Sequence, residues 1–300
     1  MVFLKIKPEC ATCIVRQIVD VSIETTNNEN KQFELIKKCL PIIEKEYHNN
    51  AVPAWMGTVV HRYFKKISNC NDPYKRLKII ADETAKQYIE IVKENMDNSN
   101  NKLEKLRKCI LGTIAGNSID FGPFSTMENI APLINSTING NLAIDHTEDL
   151  LNDLENQNIK NILYICDNAG EIVFDKLLIN EIATYNKNIT IAVKGEPILN
   201  DATMEDVKLL NLDKEYNVIT TGTDAIGIIF KECSEEFLNI FNSCDLIIAK
   251  GMGNFESLTE YNLNNKKLYY ILKAKCIPVA EYNGVNLKDN IMLSNLKLNE

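Results

Sequence analysis

Asp167-Asn168-Ala169-Gly170-Glu171 sets a carboxylate, an amide and a second carboxylate directly after the apolar run Ile162 to Cys166. Asp and Asn offer hard oxygen donors of the kind that hold Mg²⁺ or Mn²⁺. The same residues also make good turns and helix caps, so the motif alone leaves both readings open. Two further stretches repeat the pattern. Lys194 to Asp201, Lys-Gly-Glu-Pro-Ile-Leu-Asn-Asp, follows the run Ile189 to Val193. Lys250 to Glu256, Lys-Gly-Met-Gly-Asn-Phe-Glu, follows Leu246 to Ala249. If the runs are parallel strands, their carboxyl ends meet at one sheet edge, where open α/β sheets bind ligands. That edge then carries Asp167, Asn168, Asp201 and Lys250, as a metal site beside a phosphate site requires. Lys250 is the point charge for a phosphate, with Gly251, Gly253 and Asn254 supplying backbone N–H groups around it. On this reading Lys250→Met keeps the fold and lowers the rate by a factor on the order of 10². Glu171 is either an acid/base group near the metal or a first-turn helix acid.

The elements that must position these residues follow from periodicity. From residue 159 onward, apolar runs at 162–166, 189–193, 216–220, 245–249 and 267–272 alternate with helix patterns near 172–184, 203–211, 234–242 and 254–261. Such alternation means βαβ units and a mainly parallel, doubly wound α/β sheet with three Rossmann-like layers. Residues 1–150 read as a helical N-terminal domain and residues 151–300 as the α/β domain. In the first half, Leu35 to Ile43, Leu77 to Val92 and Leu103 to Ile114 have helical spacing, with a polar break from Lys93 to Lys102. Gly116-Asn117-Ser118-Ile119-Asp120 closes the most regular of these helices and, taken alone, reads as a C-cap.

Composition narrows the function. The chain has 300 residues, 45% hydrophobic and 25% charged, as soluble globular proteins do. A net charge of −8 argues against nucleic acid as a partner. No apolar run approaches the ~20 residues a membrane helix needs, and the first residues lack a signal-peptide core, so a cytoplasmic protein is expected. Most of the nine cysteines are expected to be buried hydrophobes in a reducing compartment. Cys10-x-x-Cys13 is the exception, with packing, a second metal and redox chemistry all open to it. His48, His61 and His146 receive no ligand role. Gly251-x-Gly253 is half of a dinucleotide fingerprint without its third glycine, and no P-loop is present.

In order, Cys10-Ala-Thr-Cys13, Gly116-Asn117-Ser118-Ile119-Asp120, Asp167-Asn168-Ala169-Gly170-Glu171, Asn200-Asp201-Ala202-Thr203 and Lys250-Gly251-Met252-Gly253-Asn254-Phe255-Glu256 resemble the metal-dependent damage-control phosphatases, domain-of-unknown-function family 89, in its CxxC-containing prokaryotic branch. The resemblance spans nearly the whole chain. It implies a divalent ion (Mn²⁺, Ni²⁺, Co²⁺ or Mg²⁺) held by Asp167, Asn168 and Asp201. It also implies a phosphate contact from Lys250 and active-site roles for Asn117 and Asp120 across an interdomain cleft. The expected activity is hydrolysis of small phosphorylated metabolites, sugar phosphates or damaged phospho-metabolites. Asp167 would act as nucleophile or as a ligand that holds water. A non-catalytic phosphometabolite-binding protein is the alternative, followed by a nucleotide-dependent transferase. Substrate identity, preferred metal and oligomeric state are not specified by the sequence.

Overall fold

The computed structural model describes residues 4–117 and 130–297. Asp120 lies outside the described residues. Seven strands form one sheet: β1 Leu142–Asp145, β2 Asn161–Ile165, β3 Asn188–Val193, β4 Asn217–Thr220, β5 Leu246–Lys250, β6 Lys267–Lys273 and β7 Asn290–Ser294, in the order β1-β7-β6-β5-β2-β3-β4. Strands β2 to β6 pair in parallel, while β7 is antiparallel to β6 and carries β1 alongside it. The expected runs therefore become β2 to β6, and the mainly parallel α/β class is correct. The sheet also recruits β1, from the part of the chain read as helical, and β7, which periodicity did not reveal.

Helices α1 Cys10–Thr25, α2 Glu29–Glu46, α3 Pro53–Ser68, α4 Lys75–Asp97, α5 Lys102–Gly116 and α6 Ile130–Ile138 precede the sheet; α7 Thr147–Glu155, α8 Glu171–Ala183, α9 Met204–Leu209, α10 Glu235–Ser243, α11 Gly251–Leu258 and α12 Ile277–Tyr282 connect its strands. The polar break expected from Lys93 is thus helical as far as Asp97. Alternate residues of the central strands feed opposite cores. Ile162, Tyr164 and Cys166 join one cluster with α5 and α8, whereas Leu163 and Ile165 join another with α10 to α12. This two-sided burial explains the unbroken apolar runs of β2 and β5 and produces the three layers. Helix α8 is apolar nearly all round because the sheet lies on one side and α4 and α5 on the other. No helix among the described residues is long and apolar enough to cross a membrane.

Helices α1 to α3 bury a separate cluster around Ile14, Leu35, Val60 and Phe64. Helix α3 then grips the loop after β4. The Arg62 Nε donates to Asp224 at 2.7 Å, Lys65 Nζ donates to Asp224 at 2.6 Å, and the Ile226 amide donates to Thr58 Oγ1 at 2.9 Å. In the same helix His61 is 3% exposed, its Nε2 lying 3.0 Å from Gln17 Oε1. Burial, aided by the Lys65 charge, holds its pKa down to about 4 against an ordinary 6.5. Between those values the unfolded chain takes up a proton that the folded chain refuses, so stability is lost as pH falls from 6.5 toward 4. The loss from this residue should be roughly 3 kcal/mol, at 1.36 kcal/mol per pKa unit. Urea titrations at pH 7 and pH 4.5 should show His61→Gln losing less stability on acidification than the parent. Equal losses would mean that His61 accepts a proton in the folded state.

Candidate active site

Helix α5 starts at Asn101, whose Oδ1 accepts from the Glu104 amide at 2.9 Å. It ends against the start of α8. A Cβ on Gly116 would lie 2.7 Å from Phe174 and 3.1 Å from the Glu171 Cα. Gly116 therefore permits a helix contact, and the residue after it is delivered into the site. Asn117 Nδ2 donates to Asp167 Oδ2 at 3.1 Å and to Glu171 Oε2 at 2.5 Å. Asn168 Nδ2 donates to the same two oxygens, at 2.8 and 3.3 Å. Two neutral amides thus span the two carboxylates.

Asp167 and Asn168 stand just beyond β2, as expected, and backbone bonds tie them to the Asp201 segment. Ala202 N donates to Asp167 O and Ala169 N to Asn200 O, both at 2.8 Å, with Asn168 and Asp201 forming an isolated antiparallel bridge. On the other side, Gly251 adopts φ +77°, and a Cβ there would come within 1.8 Å of Asp167 Oδ2. Only glycine fits that position on both counts. Asn254 Nδ2 donates to Cys166 O at 3.1 Å and Lys250 O at 2.7 Å, pinning the ends of β2 and β5 together. Asp82 on α4 steadies the same loop by accepting from Gly170 N at 2.6 Å. Burial first, then the charge of Asp206, pushes the Asp82 pKa up to about 7.

Lys250 is 0% exposed. Its Nζ donates to Glu171 Oε1 at 2.5 Å and to Asp175 Oδ1 at 2.8 Å, and Tyr164 OH donates to that same Asp175 oxygen at 2.8 Å. The strand therefore turns its terminal charge into a buried pair of carboxylates rather than outward. Burial opposes charge on Lys250, but Asp175 and Glu171 outweigh it and hold the ammonium above its ordinary pKa. Sequence reading missed Asp175 and Lys194. Glu171 and Asp175 are the acids of the first two turns of an otherwise apolar helix, four residues apart on one face, and that spacing was the available signal. Lys194 directly follows β3, whereas Lys250 ends β5; the Lys194 Nζ lies 3.5 Å from Asp201 Oδ2 and donates to Gly227 O at 2.7 Å. Gly253 and the Cys10–Cys13 pair line a different cavity.

Lys194 and Lys250 contact the acids of the cluster of Asp167, Glu171, Asp175 and Asp201, and Lys275 and Lys78 add positive charge near Asp167 and Asp201. Burial dominates their proton affinities. Burial, then Glu171 and Asp201, push the Asp167 carboxyl well above the usual range. Burial, partly offset by Lys194, lifts Asp201 to about 6. Burial, partly offset by Lys250, lifts Asp175 to about 6. Buried hard oxygen donors of this kind fit a divalent cation. Among the described residues no three His, Cys, Asp or Glu side chains surround one ion position. The expected set is two carboxylates and an amide.

Comparison with known proteins agrees with this architecture. Residues 6–291 match the model of the damage-control phosphatase ARMT1-like domain. The chain is 61% identical over 291 residues to the protein MJ0202 of Methanocaldococcus jannaschii, covering 97% of this chain and 95% of that one. It is 36% identical over 281 residues to the damage-control phosphatase PH1575 of Pyrococcus horikoshii, covering 92% and 93%. The crystal structure of that DUF89 family protein superposes with a TM-score of 0.86 at 33% identity, over 97% of this chain and 99% of the other. The chain belongs to the damage-control phosphatase ARMT1-like family, DUF89.

Proposed function

We propose that the protein is a divalent-metal-dependent phosphatase acting on small phosphorylated metabolites, with Asp167, Asn168 and Asp201 holding the ion. One observation carries the reading: Asp167, Asn168 and Asp201 come together at the carboxyl edge of the sheet, with burial and neighbouring carboxylates raising the proton affinity of Asp167. A structure that kept these buried acids together without using them would be destabilised by them. The bound ion would polarise a phosphoryl oxygen and neutralise charge on the transferring group. The remaining roles fall to the chain. The amides of Asn117 and Asn168 converge on Asp167 Oδ2 and fix the carboxylate's orientation, leaving Oδ1 as the oxygen these contacts do not use. Asp167 then either attacks phosphorus or orients the attacking water. Lys250 acts through Glu171, holding it where it can receive both amides. Lys194, beside Asp201, would balance that carboxylate's charge from the neighbouring strand end.

The test is phosphate release by the metal-stripped protein on a panel of sugar phosphates and a generic phosphate ester. Release should be absent without metal and should return with at least one of Mn²⁺, Ni²⁺, Co²⁺ or Mg²⁺. Equal release with and without metal would remove the ion. No release with any ion, but a thermal shift with phosphorylated ligands, would leave a binding protein.

A further inference from the structure

A cavity of about 210 Å³ lies between α1, α3 and α11, and no side chain of the Asp167 cluster lines it. Ile14 from α1, Met56 from α3, Ile226 from the loop after β4 and Pro278 from α12 give it an apolar wall. Cys10, Cys13 and Cys276 also line it. Among the described residues these thiols and Glu256 do not gather around one ion position, so the second metal open to Cys10 and Cys13 finds no ligand set here. Burial also pushes all three thiols up, Cys276 to about 12, and protonated thiols are poor metal ligands and poor nucleophiles. Glu256, from α11, is 8% exposed. Its carboxyl group accepts from the Ala54 amide in the first turn of α3. A carboxylate has about four lone-pair sites, so one amide leaves most of them unused. No lysine, arginine or histidine among the described residues lines the cavity, and Glu9 adds a second carboxyl group. Burial, only partly offset by the Ala54 amide, pushes the Glu256 pKa up to about 8.

We propose that the cavity binds a small organic ammonium ion, with its apolar body against Ile14, Met56 and Pro278 and its charged end on the Glu256 carboxylate. Small-molecule sites are typically apolar with a few placed polar groups. A cavity of about 150 Å³ already admits benzene, so this one has room for a six-carbon ring bearing an amine. The acids select the charge. An anion would meet Glu256 and Glu9 with no base to balance it, and an apolar body alone would leave the buried carboxyl group short of partners. An ammonium supplies N–H donors and holds Glu256 ionised, so its binding releases to solvent the proton that Glu256 carries at neutral pH. The other titratable groups lining the cavity are the Cys10, Cys13 and Cys276 thiols and the Glu9 carboxyl group, and none is basic. The site is independent of the phosphatase reading, because no residue of the Asp167 cluster lines the cavity.

The experiment titrates the full chain, metal-stripped, with cyclohexylamine, cyclohexanol and cyclohexanecarboxylate by calorimetry. The amine should saturate at one per chain, with the alcohol bound at least tenfold more weakly and the carboxylate not at all. Glu256→Gln should weaken the amine at least tenfold and leave the alcohol unchanged. Asp167→Asn should bind the amine as the parent does, which separates this cavity from the acids of the phosphatase site. Should Glu256→Gln not fold, the wild type decides. Amine titrations in buffers of different ionisation heat should show about one proton released per amine at pH 7 and far less at pH 9. Absence of amine binding, alcohol or carboxylate bound as tightly as the amine, or unaltered amine affinity in Glu256→Gln would each overturn the proposal. So would loss of amine binding in Asp167→Asn, or binding at pH 7 without proton release.

Discussion

Lys250→Met should lower the unfolding free energy by about 3–5 kcal/mol, the cost of removing one partner from a buried ion pair. For a chain of this size that corresponds to a fall in Tm on the order of 10 °C. The reason is local. Lys250 is 0% exposed, and its ammonium holds Glu171 and Asp175, themselves 1% and 0% exposed. Methionine fills much the same volume but leaves both carboxylates facing each other, with Asp175 Oδ2 already lacking a hydrogen-bond partner. The sequence alone suggests an intact fold for this variant, because a lysine at a strand end looks free to reach the cleft. Its burial gives it a structural charge to balance, so loss of activity and loss of stability should arrive together. Thermal or urea unfolding checks this, with Lys250→Met/Asp175→Asn recovering part of the loss by removing one stranded charge. Wild-type stability in Lys250→Met would show that the ammonium is not the counter-ion of the two acids, and would return it to the phosphate.

What was readable depended on whether a residue's partners lay nearby in sequence. Strands β2, β3 and β5 were legible because both faces are buried, which forces uninterrupted apolar runs such as Leu246 to Ala249. Their parallel pairing follows from the intervening helices, and that places Asp167, Asp201 and Gly251 at one edge. Strand β1 is four residues long, with alternate residues exposed, so its pattern is too brief to stand out. Strand β7 is buried throughout, but only the six-residue α12 separates it from β6, too short to show a helical period, and it returns antiparallel rather than in the βαβ manner. The partner choices at the site were invisible for a different reason. Whether Lys250 meets phosphate or Asp175 depends on which way a strand-end side chain leans, and the sequence does not encode that locally. Gly116 was readable as a helix end, whereas its close contact with Phe174 is purely tertiary. Cys276 looked like an ordinary core cysteine until the fold set it beside Cys10 and Cys13.

Asp167→Asn should have the opposite signature. Phosphate release should fall by a factor on the order of 10² to 10³ or more, as when a positioned charge at a reacting centre is lost. Stability without metal should hold or rise by about 1 kcal/mol, because the fold already disfavours this charge. Burial, Glu171 and Asp201 together push the Asp167 carboxyl well above its usual range, so the ionised form is a strain on the folded state. Asparagine keeps the shape and an oxygen for the amides of Asn117 and Asn168 while removing the repulsion. Residues selected for chemistry often cost stability in this way, and their neutral isosteres relieve it. A divalent ion should reverse the ranking. It should raise the Tm of the wild type by binding the folded state, and raise that of Asp167→Asn much less. Paired melting curves with and without metal, beside phosphate-release rates, therefore separate the two lysine-facing and metal-facing ends of one carboxylate cluster. If Asp167→Asn loses as much stability as Lys250→Met, Asp167 is a structural acid. If it retains full activity, the reaction does not pass through it.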